Sequence, residues 1–486
     1  MMTSLTHAQE NLRESACRKV RSGLTFGVLA LMTFVLAGCD LNGEPPEEMV
    51  ETVTEANRSA TPSEDSGLDQ EIVHAADALN EFEAACAQVE PIWPVELCGE
   101  VVLIDPRSRL AVANHPAPDE SFEAHGGVYV GSWPADKGVA NTGFEWDGEM
   151  WAMAMLPLPE ERFSRLRLLS HESFHRIQPA LGHVIADPMA RHLDEEAGRV
   201  WLRLEIHALA HALNEFGAEA HQAVADAMLF RQVRHDTFPD AAEIERQLEA
   251  HEGLAEYTGV RFALDATDAD MSAAAEHVKA FEHRPTYMRS LGYGTGPALG
   301  LLLDRYAPDW REDLPSEPDL AALLAAALQA PELEQEPEAR LQKAERRAAT
   351  YHDKVIRAEE NERAERLATE RADYRKQLVE GPVLVIDPPE LRLMFNPNTV
   401  LSMGEQGDVY PGAILMGPWG QLTLEEGGAL APAERDRARV AAPEELQPDA
   451  DGKVHGPGWT LQLEPGWRLA PGPRESDVRL EEDAQH

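Results

Sequence analysis

Residues 170–179 read SHESFHRIQP, and the two histidines in this stretch constrain the chain more than any other feature. Four residues is about one helical turn, so in a helix His171 and His175 leave the same face. The flanks predict that helix. Pro159 and two glutamates open PEERFSRLRLLSHESFHRIQ, which suits a helix N-terminus, and Pro179 is expected to stop it. Two neutral imidazoles so placed can share one Zn²⁺ at about 2.0–2.1 Å each. Glu172 projects from the neighbouring position and can serve as a proton acceptor for water activated there. The alternative is an ordinary helix that carries two histidines on one face.

The rest of the chain predicts an α+β protein. Residues 71–98 read as helical at first. Short strand-like runs follow (VVLIDP, RLAVAN, GGVYVGSW), and Asp147-Gly148 between aromatic-rich flanks signals a hairpin. A small antiparallel sheet is therefore expected just before the histidine helix. Beyond it, DEEAGRVWLRLEIHALAHALNEF, AAEIERQLEAHEGLAEYTGVRFAL, TGPALGLLLDRYAP and DLAALLAAALQ read as further helices. Residues 331–380 are charged nearly all round without an a/d register, which predicts a solvated connecting helix. From 381 to 486 short alternating runs between Gly/Pro turns predict an all-β, sandwich-like module. Trp419, Trp459 and Trp467 lie beside glycines there, and core packing explains them more simply than a ligand-binding face.

Zinc needs a third protein ligand. The continuation H-E-x-x-H-x-x-G-x-x-H fails, because Gln178 and Leu181 occupy the relevant positions and His183 is out of register. Downstream, HEGLAEYTG offers Glu252 before Gly253, and Glu256 four residues later on the same helical face. H-E-x-x-H together with E-G-x-x-E resembles the gluzincin-type zinc metallopeptidases, over roughly residues 120–310. The resemblance implies a zincin-like domain over 71–330, one catalytic zinc held by His171, His175 and Glu252, and Glu172 as general base. It further implies that Glu256 orients a ligating imidazole, and that Tyr287 or, preferably, Tyr293 donates to the developing oxyanion. Two departures bear on substrate subsites: His251 stands where the family usually has asparagine, and the interval from His175 to Glu252 is unusually long. The helix within that interval carries His207 and His211 near Glu205. A second metal site is conceivable there, but no glutamate holds the general-base position.

The N-terminus suggests export. Arg18, Lys19 and Arg21 precede the apolar run LTFGVLALMTFVLAGC. Its L-A-G-C ending resembles a bacterial lipobox, which implies a signal peptide over 1–38 and lipidation of Cys39. Asp40 resembles an inner-membrane retention signal of some bacterial lipoproteins and points to the periplasmic face of that membrane, with the outer membrane as the alternative. Residues 39–70 are acidic and Pro/Ser/Thr-containing, as a disordered tether would be. Cys86 and Cys98, in the exported portion, can form one small-loop disulfide or remain two buried thiols. A formal charge of −43 and a pI near 4.7 argue against a nucleic-acid partner.

These features lead to an envelope-anchored zinc peptidase acting on peptides or proteins. Two alternatives stand beside it. One is a non-catalytic envelope lipoprotein whose β-module binds a partner or glycan. The other is a zinc hydrolase of non-peptide amides.

Overall fold

The strand signals before residue 157 assemble into one six-stranded sheet in the computed structural model, which describes residues 64–483 apart from positions 136, 184, 313, 388–389, 397–398, 433, 444–445 and 451. The signal segment, Cys39 and most of the tether lie outside the described residues. Helix α1 spans Glu64–Cys86, so the last residues of the expected tether are helical. A disulfide joins Cys86 to Cys98 and ties the end of α1 to the approach to the sheet.

The sheet comprises β1 (Val101–Ile104), β2 (Leu110–Ala113), β3 (Glu123–His125), β4 (Val128–Ser132), β5 (Thr142–Trp146) and β6 (Glu149–Met155), in the order β3-β4-β2-β1-β6-β5. It is mixed rather than antiparallel: β6 runs parallel to β1, with Val101 opposite Ala152. The reason is topological. The β5–β6 hairpin, turned at Asp147 and Gly148 with positive φ at both, returns to the far side of β1. Alternation along the buried strands separates two layers. Val101, Leu103, Leu110 and Val112 face the helical core, while Val102, Ile104, Ala111 and Ala113 face a cluster containing Trp133, Trp146 and Trp151.

Helix α2 (Arg162–Leu181) carries the histidine pair. Glu161 caps it, its carboxylate accepting from the backbone N–H of Phe163 and Ser164 at 2.8 and 2.6 Å. Pro179 does not stop it. The proline lies in the last turn, and Gly182, with φ 78°, ends the helix in the left-handed conformation.

The helices that follow are α3 (Glu196–Asn214), α4 (Gly217–Thr237), α5 (Ala241–Leu248), α6 (Leu254–Thr267), α7 (Met271–Ala280), α8 (Leu291–Tyr306) and α9 (Leu320–Ala327). A π-helical turn, Glu249–Gly253, joins α5 to α6 and contains Glu252. Such turns insert one residue into the helical register and recur at functional sites. Helices α4 and α7 are additions to the sequence reading. Both are rich in alanine, which blurs the apolar stripe.

The expected single connecting helix is two helices, α10 (Pro337–Ala348) and α11 (Asp353–Tyr374), broken at His352 with φ 62°. Its charges are partly paired with the preceding domain. Glu360, 3% exposed, accepts from Arg199 and Arg203 at 2.5 and 3.0 Å. Arg371 reaches Asp194 at 2.6 Å.

The C-terminal strands form two sheets. One contains β7 (Val383–Ile386), β9 (Leu401–Ser402), β10 (Asp408–Pro411), β13 (Gly428–Ala431), β14 (Ala438–Ala441), β17 (Trp467–Pro471) and β18 (Val478–Glu482). The other contains β8 (Arg392–Met394), β11 (Ile414–Gly417), β12 (Gly420–Leu424), β15 (Lys453–Gly456) and β16 (Trp459–Leu463). Side chains of both sheets share one core, in which Trp419 and Trp459 are buried and on which Trp467 packs. Met189 packs onto that core too, and Arg191 grips buried Asp408 with two bonds of 2.9 and 2.7 Å.

Candidate metal centre

Helix α2 packs its histidine face against the π-turn and α6, so the two motifs meet. Nε2 of His171 and Nε2 of His175 are 3.2 Å apart, and Glu252 Oε2 lies 3.4 and 3.5 Å from them. Ligand atoms about 2.0–2.1 Å from a tetrahedral zinc are separated by about 3.3–3.4 Å. The triangle therefore has the size a zinc site requires.

Hydrogen bonds at Nδ1 orient both rings. The Nδ1–H of His171 donates to Glu256 Oε2 at 2.6 Å, since a carboxylate only accepts. The Nδ1–H of His175 donates to Gln178 Oε1 at 2.9 Å, and Gln178 in turn reaches the carbonyl of Ala250 through Nε2. In the neutral rings both Nε2 atoms thus carry lone pairs, aimed at Glu252 Oε2. That oxygen is buried and accepts no hydrogen bond. With both rings neutral, these three electron pairs can face one cation; with none bound, a second proton on His171 fills that place. Burial disfavours charge on His171, but Glu172, Glu252 and Glu256 outweigh it and push its pKa up to about 10. Burial raises Glu252 too, yet the two histidines hold its carboxyl well below the usual range.

Glu256 is fully buried on α6, one turn beyond Glu252. Burial alone would raise its pKa. Arg167, His171 and His277 instead hold it well below the usual carboxylate range. Arg167 Nη1 donates to both its oxygens at 2.7 and 2.9 Å, and Nε2 of His277 lies 2.7 Å from Oε1. The sequence assigned no role at the site to Arg167, Gln178 or His277. Arg167 precedes His171 by one turn and Gln178 follows His175 by three residues, so helical spacing could have revealed those two. His277 carries no such signal.

Glu172 points into the same open cleft, about 390 Å³ in volume, with Oε2 buried and unpaired. Burial pushes its pKa up to about 6, while His171 and His175 restrain the rise. Tyr293 on α8 stacks on His171 with ring centroids 5.2 Å apart and planes 14° from parallel. Its hydroxyl pKa is pushed well up by burial and by the neighbouring Glu252 and Glu172. The other tyrosine candidate, Tyr287, lies outside the cleft lining. Its hydroxyl donates to the carbonyl of Glu282 at 2.7 Å, and Arg199 covers its ring. His251 enters the cleft beside His175, its Nδ1 buried and unpaired and 3.9 Å from Glu252. Burial lowers its pKa.

His207 and His211 lie elsewhere, in a small pocket with Tyr351 and His352. His207 contacts Glu282 at 3.2 Å, and Glu205 is taken by Arg231 and Arg234. Among the described residues, the groups whose ligand atoms converge all belong to the cleft and are built from His171, Glu172, His175, His251 and Glu252.

The chain matches no family model, no curated protein and no solved structure.

Proposed function

We propose that this protein is a zinc-dependent peptidase of the gluzincin type, with a zincin-like catalytic domain held at the bacterial cell envelope by a lipid on Cys39. The observation that carries the reading is the convergence of His171, His175 and Glu252 beside the unpaired carboxylate oxygen of Glu172. A bound zinc would supply Lewis acidity, lowering the pKa of water from 15.7 to about 7 and polarising a carbonyl.

The chain's own groups do the rest. Glu172, with its raised pKa, is suited to accept a proton near neutrality and return it to the leaving amine. Tyr293 stays protonated at physiological pH and offers its O–H to the developing oxyanion. Glu256 and Gln178 fix the tautomers of the two ligating rings. A peptide is favoured over other amides by β5. It is the edge strand of its sheet, and Thr142 and Gly143 line the cleft, so the outer edge of the sheet borders the proposed metal ligands. An extended peptide can pair with such an edge.

The test is metal analysis with peptide turnover on the full chain. Wild type should hold about one zinc. Glu172→Gln should keep the zinc and lose hydrolysis, and Glu252→Ala should lose both. A wild type with no more zinc than His171→Ala would overturn the reading.

A further inference from the structure

Among the described residues, Arg284 is the cation of the cleft that no carboxylate neutralises. Arg167, which also lines it, is committed to Glu256 at 2.7 Å. Arg284 lines the same cleft, half-buried, with its guanidinium 4.3 Å above the Tyr293 ring. Among the described residues no carboxylate forms an ion pair with it, although the chain carries 86 acidic residues against 43 basic ones. The cleft's own acids do not pair with it: Glu252 faces the two histidines, and Glu172 Oε2 is unpaired.

Its position is built rather than accidental. Pro285 restricts the preceding residue to extended backbone, and Arg284 has φ −68° and ψ 141° where the 3₁₀ turn Phe281–His283 ends. The ring of Tyr293 then supports the guanidinium from below by a cation–π contact. Tyr293 itself rests on His171, so Arg284, Tyr293 and His171 form one stack leading to the metal ligands, with steps of 4.3 and 5.2 Å. Both steps together span no more than about three residues of extended chain.

We propose that Arg284 is a carboxylate-binding subsite of this cleft, which selects peptides bearing a free C-terminal carboxylate or an acidic side chain within about three residues of the bond at the metal centre. The inference rests on the peptidase reading for the position of that bond. The binding of the carboxylate stands on Arg284 alone. A planar guanidinium offers paired donors that match a carboxylate, and it remains charged at every physiological pH.

Binding rather than turnover tests it. Zinc-loaded full-length Glu172→Gln is titrated calorimetrically with acetyl-trialanine as free acid and as amide. Acetyl-Ala-Glu-Ala-amide and acetyl-Ala-Gln-Ala-amide form the second pair. At least one acid should bind roughly 10–100-fold tighter than its neutral twin. The pair that discriminates tells whether the terminus or the side chain is read. Adding Arg284→Gln should abolish the difference, and Arg284→Lys should retain part of it. Thermal melts and zinc content of these variants check that the fold is intact. No discrimination, no measurable binding of either acid, or discrimination that survives Arg284→Gln overturns the subsite. The last outcome would mean the acid ligates the metal instead. Wild type that cleaves peptides without preference for acids overturns the subsite and leaves the peptidase reading standing. Carboxylate selectivity that depends on Arg284, in a wild type that cleaves nothing, does the reverse.

Discussion

A β-carbon added to Gly296 would lie 2.3 Å from the Cα of Gly253. Gly253 is the last residue of the π-turn that carries Glu252, and Gly296 lies on α8 one turn beyond Tyr293. Gly292 repeats the pattern, with the backbone N of Gly253 2.7 Å from where its β-carbon would be. The two elements approach backbone to backbone, and this brings Tyr293 over His171 while Glu252 faces the histidines. Gly296→Ala should therefore push α8 away from the π-turn. The expected cost is about 1–3 kcal/mol of stability, from overpacking, with a parallel loss of zinc affinity. Urea unfolding and zinc titration of the variant check both.

In the proposed site Glu256 would act on the metal only through His171. Glu256→Gln keeps the shape but lets the amide present either N or O to Nδ1, so the ring loses its enforced tautomer. Zinc affinity should fall roughly 10–100-fold. Competition with a chelator measures it. Unchanged affinity would show that His171 is oriented by packing against Tyr293 alone.

Glu282 gives a pH signature away from the cleft. It is largely buried, and the contacts from His207 at 3.2 Å and Arg203 at 2.8 Å overcome the burial penalty to lower its pKa to about 2. A depressed carboxyl contributes stability above its unfolded pKa and loses it as pH falls through the folded one. Wild type should exceed Glu282→Gln by up to about 3 kcal/mol near neutrality. That gap should shrink between about pH 4.5 and pH 2. Denaturant midpoints of the two proteins across this range test it. A gap independent of pH would mean that Glu282 contributes through its shape and neutral hydrogen bonds.

The Cys86–Cys98 bridge closes a short loop, with a sequence separation of 12. Replacing both cysteines by serine should cost about 3 kcal/mol, chiefly by freeing the unfolded chain. The bridge lies outside the cleft lining, so zinc content should not change. Chemical denaturation alongside metal analysis separates the two effects.

Some of this was legible without coordinates. Local periodicity determines which side chains share a helical face, so the common face of His171 and His175 and the shared face of Glu252 and Glu256 follow from spacing. The Asp147-Gly148 hairpin follows from turn chemistry, and the all-β character after residue 381 from alternation. Arg167 and Gln178 were legible on the same grounds, though their roles needed a partner to become meaningful. Other features were decided only by packing between distant segments. Pro179 did not end α2: the stop is Gly182, whose left-handed conformation lets its N–H reach the carbonyls of Gln178 and Pro179. The parallel pairing of β6 with β1 depended on the route of the chain around the sheet. The π-turn at Glu252, the approach of His277 to Glu256 and the placing of Arg284 on Tyr293 depend on how α6, α7 and α8 pack. Spacing along one helix encodes a face, but what meets that face is set by contacts between residues far apart in sequence, and those have no period to read.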